Sequence, residues 1–301
     1  MNILVTGATG FLGSYLSRSL REEGHRVATL GSKNTDLTHE GSLDAFDGVQ
    51  YDQIYHLAAW TQAGDFCLRH PGEQWIINQK INTNVLDWWA NHQPQAKMVA
   101  IGTSCSYPPD QLLKEDNYLE GQPIESLFAY AMTKRMLYAG LVSLSKQFSL
   151  SYLHLVPSTL YGSGYHTDER QMHFIFDLVR KIIRGKKFGE PVVLWGDGHQ
   201  RREIIHVLDF VRIAKNLSES TKNETVNIGS GQDYSIREFA KMICDAVEYD
   251  FDKIQFDETK YVGARSKVLD VRKLKEILPN ISLTDPREGI KELVAWFLKS
   301  L

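Results

Sequence analysis

A phenol and an ammonium lie four residues apart at Tyr130 and Lys134, in a segment from Leu127 to Leu144 whose apolar residues recur at helical spacing. That spacing points both side chains the same way. A cation beside a phenol favours the phenolate and lowers a pKa that starts near ~10. Upstream, Met98-Val99-Ala100-Ile101 has the composition of a buried parallel strand, and Thr103-Ser104-Cys105 follows it. Open α/β sheets bind ligands at that carboxyl end of their strands. Thr103 is therefore placed to hold a substrate oxygen while Tyr130 exchanges a proton with it. Spacing alone does not single the pair out. Tyr249 and Lys253 share it in a charged stretch with no strand-end hydroxyls before it, where a solvated surface is expected.

The elements that must carry this chemistry begin at the amino terminus. Asn2 to Thr6 reads as a strand, Gly7-Ala8-Thr9-Gly10-Phe11-Leu12-Gly13 as a tight turn, and Ser14 to Glu23 as a helix. Glycines at the first, fourth and seventh places let the backbone turn, approach a pyrophosphate and pack the helix on a sheet. Between a strand and a helix, the pattern signals a dinucleotide. The second strand, Arg26 to Leu30, ends in Gly31-Ser32-Lys33, with no acidic residue for a ribose 2′-hydroxyl. Ser32 and Lys33 suit a 2′-phosphate, so NADP is expected and NAD is the second choice. Asp36-Leu37 falls where the adenine would lie, although Asp36 is equally suited to capping a helix. Gln53 to Ala59 reads as a buried strand whose end, Leu57, Ala58 and Ala59, meets the cofactor, its small residues letting the backbone approach. His56 by itself reads as a satisfied core histidine. Asn78 to Trp89 is an amphipathic helix whose aromatic side fits core packing or a partner's helix about equally.

Tyr152 to Pro157 is a further strand, so residues 1–160 alternate strand and helix as a doubly wound parallel sheet does, the dinucleotide-binding unit. The later chain differs: a helix from His173 to Ile183, a short strand Val192 to Trp195, and helices at Ile236 to Val247 and Pro286 to Leu298. Residues 161–206 and 229–301 are expected to form a smaller α/β unit over the sheet's carboxyl edge, with 207–228 returning to the large sheet.

Composition bounds the functions. Hydrophobic residues make up 43% and charged residues 24%, an ordinary globular balance. A net charge of −3 argues against a nucleic-acid binder, which needs a concentrated basic face. Three scattered cysteines, Cys67, Cys105 and Cys244, give neither a disulfide framework nor a metal-ligand spacing, so no metal is expected. No apolar run reaches ~18 residues and the first strand starts at Asn2, so a cytoplasmic protein without membrane association is expected.

Gly7 to Gly13, His56 to Ala59, Thr103 to Pro108, Tyr130 to Lys134 and Asn227 to Gly231 together resemble the extended short-chain dehydrogenase/reductases acting on nucleotide sugars, the NAD-dependent epimerase/dehydratase family. Ser104-Cys105-Ser106-Tyr107-Pro108, His173-Phe174-Ile175, Trp195-Gly196-Asp197-Gly198 leading to Arg202-Glu203, and Lys267 to Val271 bring it nearest to the GDP-L-fucose synthase branch, whose members act as 3,5-epimerases and 4-reductases. The resemblance implies Thr103, Tyr130 and Lys134 as the catalytic triad, and Cys105 and His173 as the epimerase acid/base pair. It puts Ser104, Thr159, Lys181, Trp195 and Arg202 against the nucleotide sugar, with Arg202 and Lys181 clamping the pyrophosphate. The cofactor would meet the glycine turn, Tyr130, Lys134 and Pro157. Pairing into a homodimer through Asn78 to Trp89 and Tyr130 to Leu144 is also implied, Trp88 and Trp89 supplying apolar surface. The chain departs from the branch at Thr9, where a basic residue is usual, at Thr159, where an Asn is usual, and in the polar insert Tyr165 to Met172.

A thiol near ~8.5 and an imidazole near ~6.5 can each exchange protons around neutrality. Inverting a carbon beside a ketone needs one such group on each face. A 4,6-dehydratase is disfavoured because Ser104-Cys105 stand where its Asp-Glu pair would be. A 4-epimerase needs only the triad with tightly held NAD, and remains open as the alternative. A non-catalytic dinucleotide sensor on the same fold would have no need of Tyr130 and Lys134.

Overall fold

The computed structural model describes residues 1–168, 170–260 and 264–300. The chain runs through β1 (Asn2–Thr6), α1 (Phe11–Glu22), β2 (Arg26–Leu30), β3 (Gln53–His56), α2 (Phe66–Arg69), α3 (Pro71–His92), β4 (Lys97–Ile101), α4 (Phe128–Phe148) and β5 (Tyr152–Pro157). It continues through β6 (Thr159–Tyr161), α5 (Phe174–Phe188), β7 (Val193–Trp195), β8 (Arg201–Arg202), β9 (Ile204–His206), α6 (Val207–Ser220) and β10 (Glu224–Ile228). Last come β11 (Tyr234–Ser235), α7 (Ile236–Val247), β12 (Gln255–Asp257), α8 (Arg272–Ile277) and α9 (Pro286–Ser300).

Six strands form one parallel sheet in the order β2-β1-β3-β4-β5-β10. The order reverses direction between β1 and β3, the crevice where a doubly wound sheet receives its ligand. Alternate residues of β1, β3 and β4 enter different cores, as the period of two requires. Ile3 and Val5 pack with α6 residues such as Phe210 and Leu217, whereas Leu4, Ile54 and Met98 pack with Trp89 of α3 and Leu137 of α4. A separate core holds α5, α7 and α9 together through Ile175, Phe176, Phe239, Ile243, Leu293 and Phe297. α7 is started by a capping box, Ser235 Oγ accepting from Glu238 N at 3.1 Å while Glu238 Oε2 accepts from Ser235 N at 2.7 Å.

Three expectations need amendment. The strand expected to reach Ala59 ends at His56, and residues 57–60 cross the crevice without regular structure. Residues 269–283, assigned from sequence to the smaller unit, pack on the large sheet's core through Leu269, Val271 and Leu274, with Ile281 and Leu283 against them. Trp88 and Trp89 are not surface: both are buried, with indole N–H groups donating to Asp47 Oδ1 at 2.6 Å and Ala96 O at 2.9 Å. The exposed apolar residues of α3 and α4 are Trp75, Ile76, Phe128, Met136 and Phe148. Among the described residues, no helix is long and apolar enough to cross a membrane.

Candidate active site

The glycine turn closes β1 onto the crevice. Gly7 has φ +66°, and a Cβ there would lie 2.8 Å from Ala58 N; a Cβ on Gly13 would lie 2.2 Å from Gly7 O. Both glycines are therefore required by the protein's own packing. Gly10 differs, because a Cβ there would meet only Gly7 O, at 3.3 Å. Gly10 caps α1, and Phe11, Leu12 and Gly13 begin a helix whose first N–H groups have no intrahelical partner. That is the cradle a pyrophosphate needs, so the residues present fit a dinucleotide. Phe11 and Leu12 have only backbone to offer there, since their side chains face inward. Phe11 packs edge-on against Tyr15, Tyr165 and Phe176, joining the turn to the smaller unit, and Leu12 packs on the large core.

The crevice's other wall is set by a buried relay. His56 Nδ1 lies 2.9 Å from Thr6 Oγ1 and Nε2 3.1 Å from Asn82 Oδ1, which assigns the proton to Nε2. Thr6 Oγ1 in turn accepts from Leu57 N and Ala58 N at 3.2 Å each. His56 is thus a core histidine that fixes the start of the loop 57–60, in which Ala59 follows. Burial foremost, then Lys134's charge, lowers its pKa to about 4.

At the end of β2, Ser32 and Lys33 are exposed, and Asn34 Oδ1 holds the turn by accepting from Gly31 N at 2.8 Å. Thr9 lies over this turn, since a Cβ on Gly31 would meet its side chain at 2.7 Å. The two readings of Asp36 separate here: its carboxylate accepts from Thr38 N at 3.0 Å and Thr38 Oγ1 at 2.7 Å, capping a turn. Leu37 turns its side chain into the core.

Thr103 caps the short turn Ser104–Ser106, its Oγ1 accepting from Cys105 N at 3.2 Å. Tyr130 and Lys134 face this turn from the first turns of α4. The expected lowering of the Tyr130 pKa is not what the fold produces. Burial raises it, neighbouring Cys105, Tyr118 and Cys67 add to the rise, and Thr103 opposes it. Lys134 is itself pushed down to about 8 by burial, and its ammonium donates to Ile101 O at 2.8 Å. The cation is engaged with the strand end, so the phenol is held protonated and ready to donate.

The turn's other occupant was not foreseen. Lys267 Nζ lies 2.9 Å from Cys105 Sγ, across 162 residues of chain. Burial alone would raise the thiol's pKa, but the charge and hydrogen bond of Lys267, helped by Thr103 and Arg202, overcome it and the net direction is down. His173 caps the start of α5, open to the cleft, and lies close enough to Lys267 to feel its charge. Desolvation by the cleft walls first, then Lys267 and His166, lowers its pKa below the ordinary imidazole value. Lys267 opens the Lys267 to Val271 motif that carries the resemblance, and the motif assigns it no role.

Two further residues fix this geometry. Arg135, buried beside Lys134, donates to the carbonyls of Ser106, Glu120 and Gly121. Glu203, also buried, accepts from Gly231 N at 2.7 Å and Leu269 N at 2.8 Å, tying the segment that bears Lys267 to the strands beside it. Burial raises its carboxyl to about 7. Arg135 stands in no motif and Glu203 ends one without a role, since an arginine or glutamate that binds backbone carries no spacing signature.

The substrate candidates fall into two groups. Lys181 and Trp195 stand together, the ammonium 5.9 Å from the indole centre and 2.9 Å from Asp177, while Trp195 is 54% exposed. Arg202 lies on the Cys105 side, its Nη1 donating to Arg201 O and Ala264 O at 2.7 Å each. Ser104 is half-buried beside Thr103, Thr159 pairs with Ile204 in the β6–β9 ladder, and Pro157 ends β5 opposite Ile228. In the insert, Tyr165 stacks on Phe176 at 3.9 Å and Gln171 Oε1 accepts from Asp65 N at 2.8 Å, strapping it to the loop before α2; Glu169 lies outside the described residues. Among the described residues, no His, Cys, Asp and Glu cluster is placed to hold a metal.

Residues 3–229 match the model of the NAD dependent epimerase/dehydratase family. GDP-L-fucose synthase 1 of Arabidopsis thaliana is 30% identical over 311 residues, covering 99% of this chain and 94% of that protein. GDP-L-colitose synthase of Yersinia pseudotuberculosis is 28% identical over 305 residues, covering 99% and 98%. Among solved structures, a GDP-L-fucose synthetase from Naegleria fowleri superposes with a TM-score of 0.86 at 25% identity, covering 99% of this chain and 93% of that one.

Proposed function

We infer that this chain, which belongs to the NAD dependent epimerase/dehydratase family, is an NADP-dependent epimerase/reductase of a nucleotide-linked 4-keto-6-deoxy hexose or heptose, with GDP as the nucleotide. The observation that carries this reading is the convergence on one turn of two sets of groups: the Thr103 and Tyr130 hydroxyls with Lys134, and the Cys105 thiol, which shares Lys267 with His173. A 4-keto group acidifies the hydrogens on C3 and C5, and Cys105 and His173 supply the groups that remove and return them. Thr103 then orients the C4 oxygen and Tyr130 protonates it. Bound NADPH would supply the hydride to C4, its 2′-phosphate received by Ser32 and Lys33. The smaller unit, with Lys181, Trp195 and Arg202, receives the nucleotide diphosphate. We further infer a cytoplasmic homodimer, paired through α3 and α4 over Trp75, Ile76 and Met136.

The test is product NMR after reaction of GDP-4-keto-6-deoxymannose with NADPH in D2O. Wild type should place deuterium at C3 and C5. Cys105→Ser should lose most epimerisation and still reduce the ketone to an unepimerised product, because a serine hydroxyl is far less acidic. Tyr130→Phe should oxidise NADPH slowly while deuterium still enters the sugar. Reduction by wild type with no deuterium at either carbon would make the protein a plain 4-reductase.

A further inference from the structure

We propose that Lys267 is a positioning residue for Cys105, holding the sulfur as the thiolate that takes the proton from the sugar. The inference rests on the epimerase reading above and names what prepares Cys105 within it. The geometry is direct: Lys267 Nζ donates to Cys105 Sγ at 2.9 Å. Glu203 fixes the donor's approach by binding Leu269 N, two residues along, at 2.8 Å. Thr103 Oγ1 fixes the acceptor by binding Cys105 N at 3.2 Å.

The groups around the sulfur come from five places in the fold. Lys267 and Arg202 bring positive charge, and both favour the thiolate. Tyr130 from α4 and Cys67 from α2 are neutral neighbours. His173, at the start of α5, faces Lys267, and the same ammonium that favours a negative sulfur disfavours a positive imidazole. One lysine therefore favours the deprotonated form of both groups, and Cys105 is the one in direct contact with it.

In the step this implies, the proton on the carbon beside the ketone passes to Cys105 Sγ, and the C–H electron pair passes to the enolate oxygen. Lys267 keeps its proton throughout. The return proton reaches the opposite face from solvent, relayed by the neutral His173 imidazole, which gains a proton on one nitrogen as it gives one from the other. The Cys105 thiol gives its own proton back to solvent.

The experiment is alkylation by iodoacetamide from pH 5 to 9.5, scored at the Cys105 peptide by mass spectrometry, with Cys105→Ser as the blank. Cys67 and Cys244 are buried, which isolates the signal. Wild type should react with a half-point below the ~8.5 of an ordinary thiol. Lys267→Met should react about tenfold more slowly at pH 7, the change that a one-unit rise in pKa gives, and Lys267→Arg should recover most of the rate. A wild-type half-point at or above the ordinary value overturns the proposal without any variant, and so does an unchanged profile in folded Lys267→Met. The readout needs no sugar. A shifted profile together with a deuterium-free product would remove the epimerase reading and leave the hold of Lys267 on the thiol standing.

Discussion

Replacing Arg135 by methionine keeps most of the side chain's apolar stem and removes the guanidinium that clamps the turn bearing Cys105 to α4. Arg135 is 6% exposed; Nε donates to Ser106 O at 2.9 Å, Nη2 to Ser106 O at 2.5 Å and Glu120 O at 2.6 Å, and Nη1 to Gly121 O at 2.7 Å. Ser106 is fully buried, so its carbonyl would lose its donors with no water to replace them, a cost of about 1–3 kcal/mol. Glu120 and Gly121 are exposed, and water would take over at a net loss of about 0.5–1.5 kcal/mol each. The expected destabilisation is about 4 kcal/mol, or about 6 °C in Tm for a chain of this size. Thermal unfolding followed by circular dichroism measures it. Arg135→Lys, a point charge that cannot span three carbonyls, should recover only part. A Tm within about 2 °C of wild type for Arg135→Met would refute the reasoning, because it would mean the clamp carries no net energy.

Lys33→Ala should narrow a preference for NADPH over NADH, measured by calorimetry with both cofactors; a preference for NADH in wild type would overturn the assignment of Ser32 and Lys33. Light scattering at micromolar concentration should give a dimer mass, and Ile76→Asp a monomer; a monomeric wild type would remove the pairing through α3 and α4. The pKa of His56 is lowered to about 4 against an unfolded value near 6.5, so the unfolded chain binds more protons between those values. Its contribution to stability is therefore complete above about pH 6.5 and is lost as pH falls toward 4. Ring nitrogen shifts should show a neutral, Nε2-protonated His56 at pH 5.5, and an imidazolium there would contradict the relay through Thr6.

The local features of this chain were legible in its sequence. The glycine turn, the extents of β1, β2, β5 and α7, and the shared direction of Tyr130 and Lys134 each depend on steric and periodic rules acting over a few residues. The branch resemblance added Cys105 and His173 but could not say what surrounds them. Tertiary structure alone decided that Lys267 reaches Cys105, that Glu203 and Arg135 brace the turn, and that residues 269–283 belong to the large core. It reversed the expectation for the Tyr130 phenol as well, because the proximity of a cation is local whereas desolvation is the sum of everything packed around the group. Trp88 and Trp89 make the same distinction: the sequence marks an aromatic stripe on α3, but which neighbour covers it depends on how the sheet and helices pack.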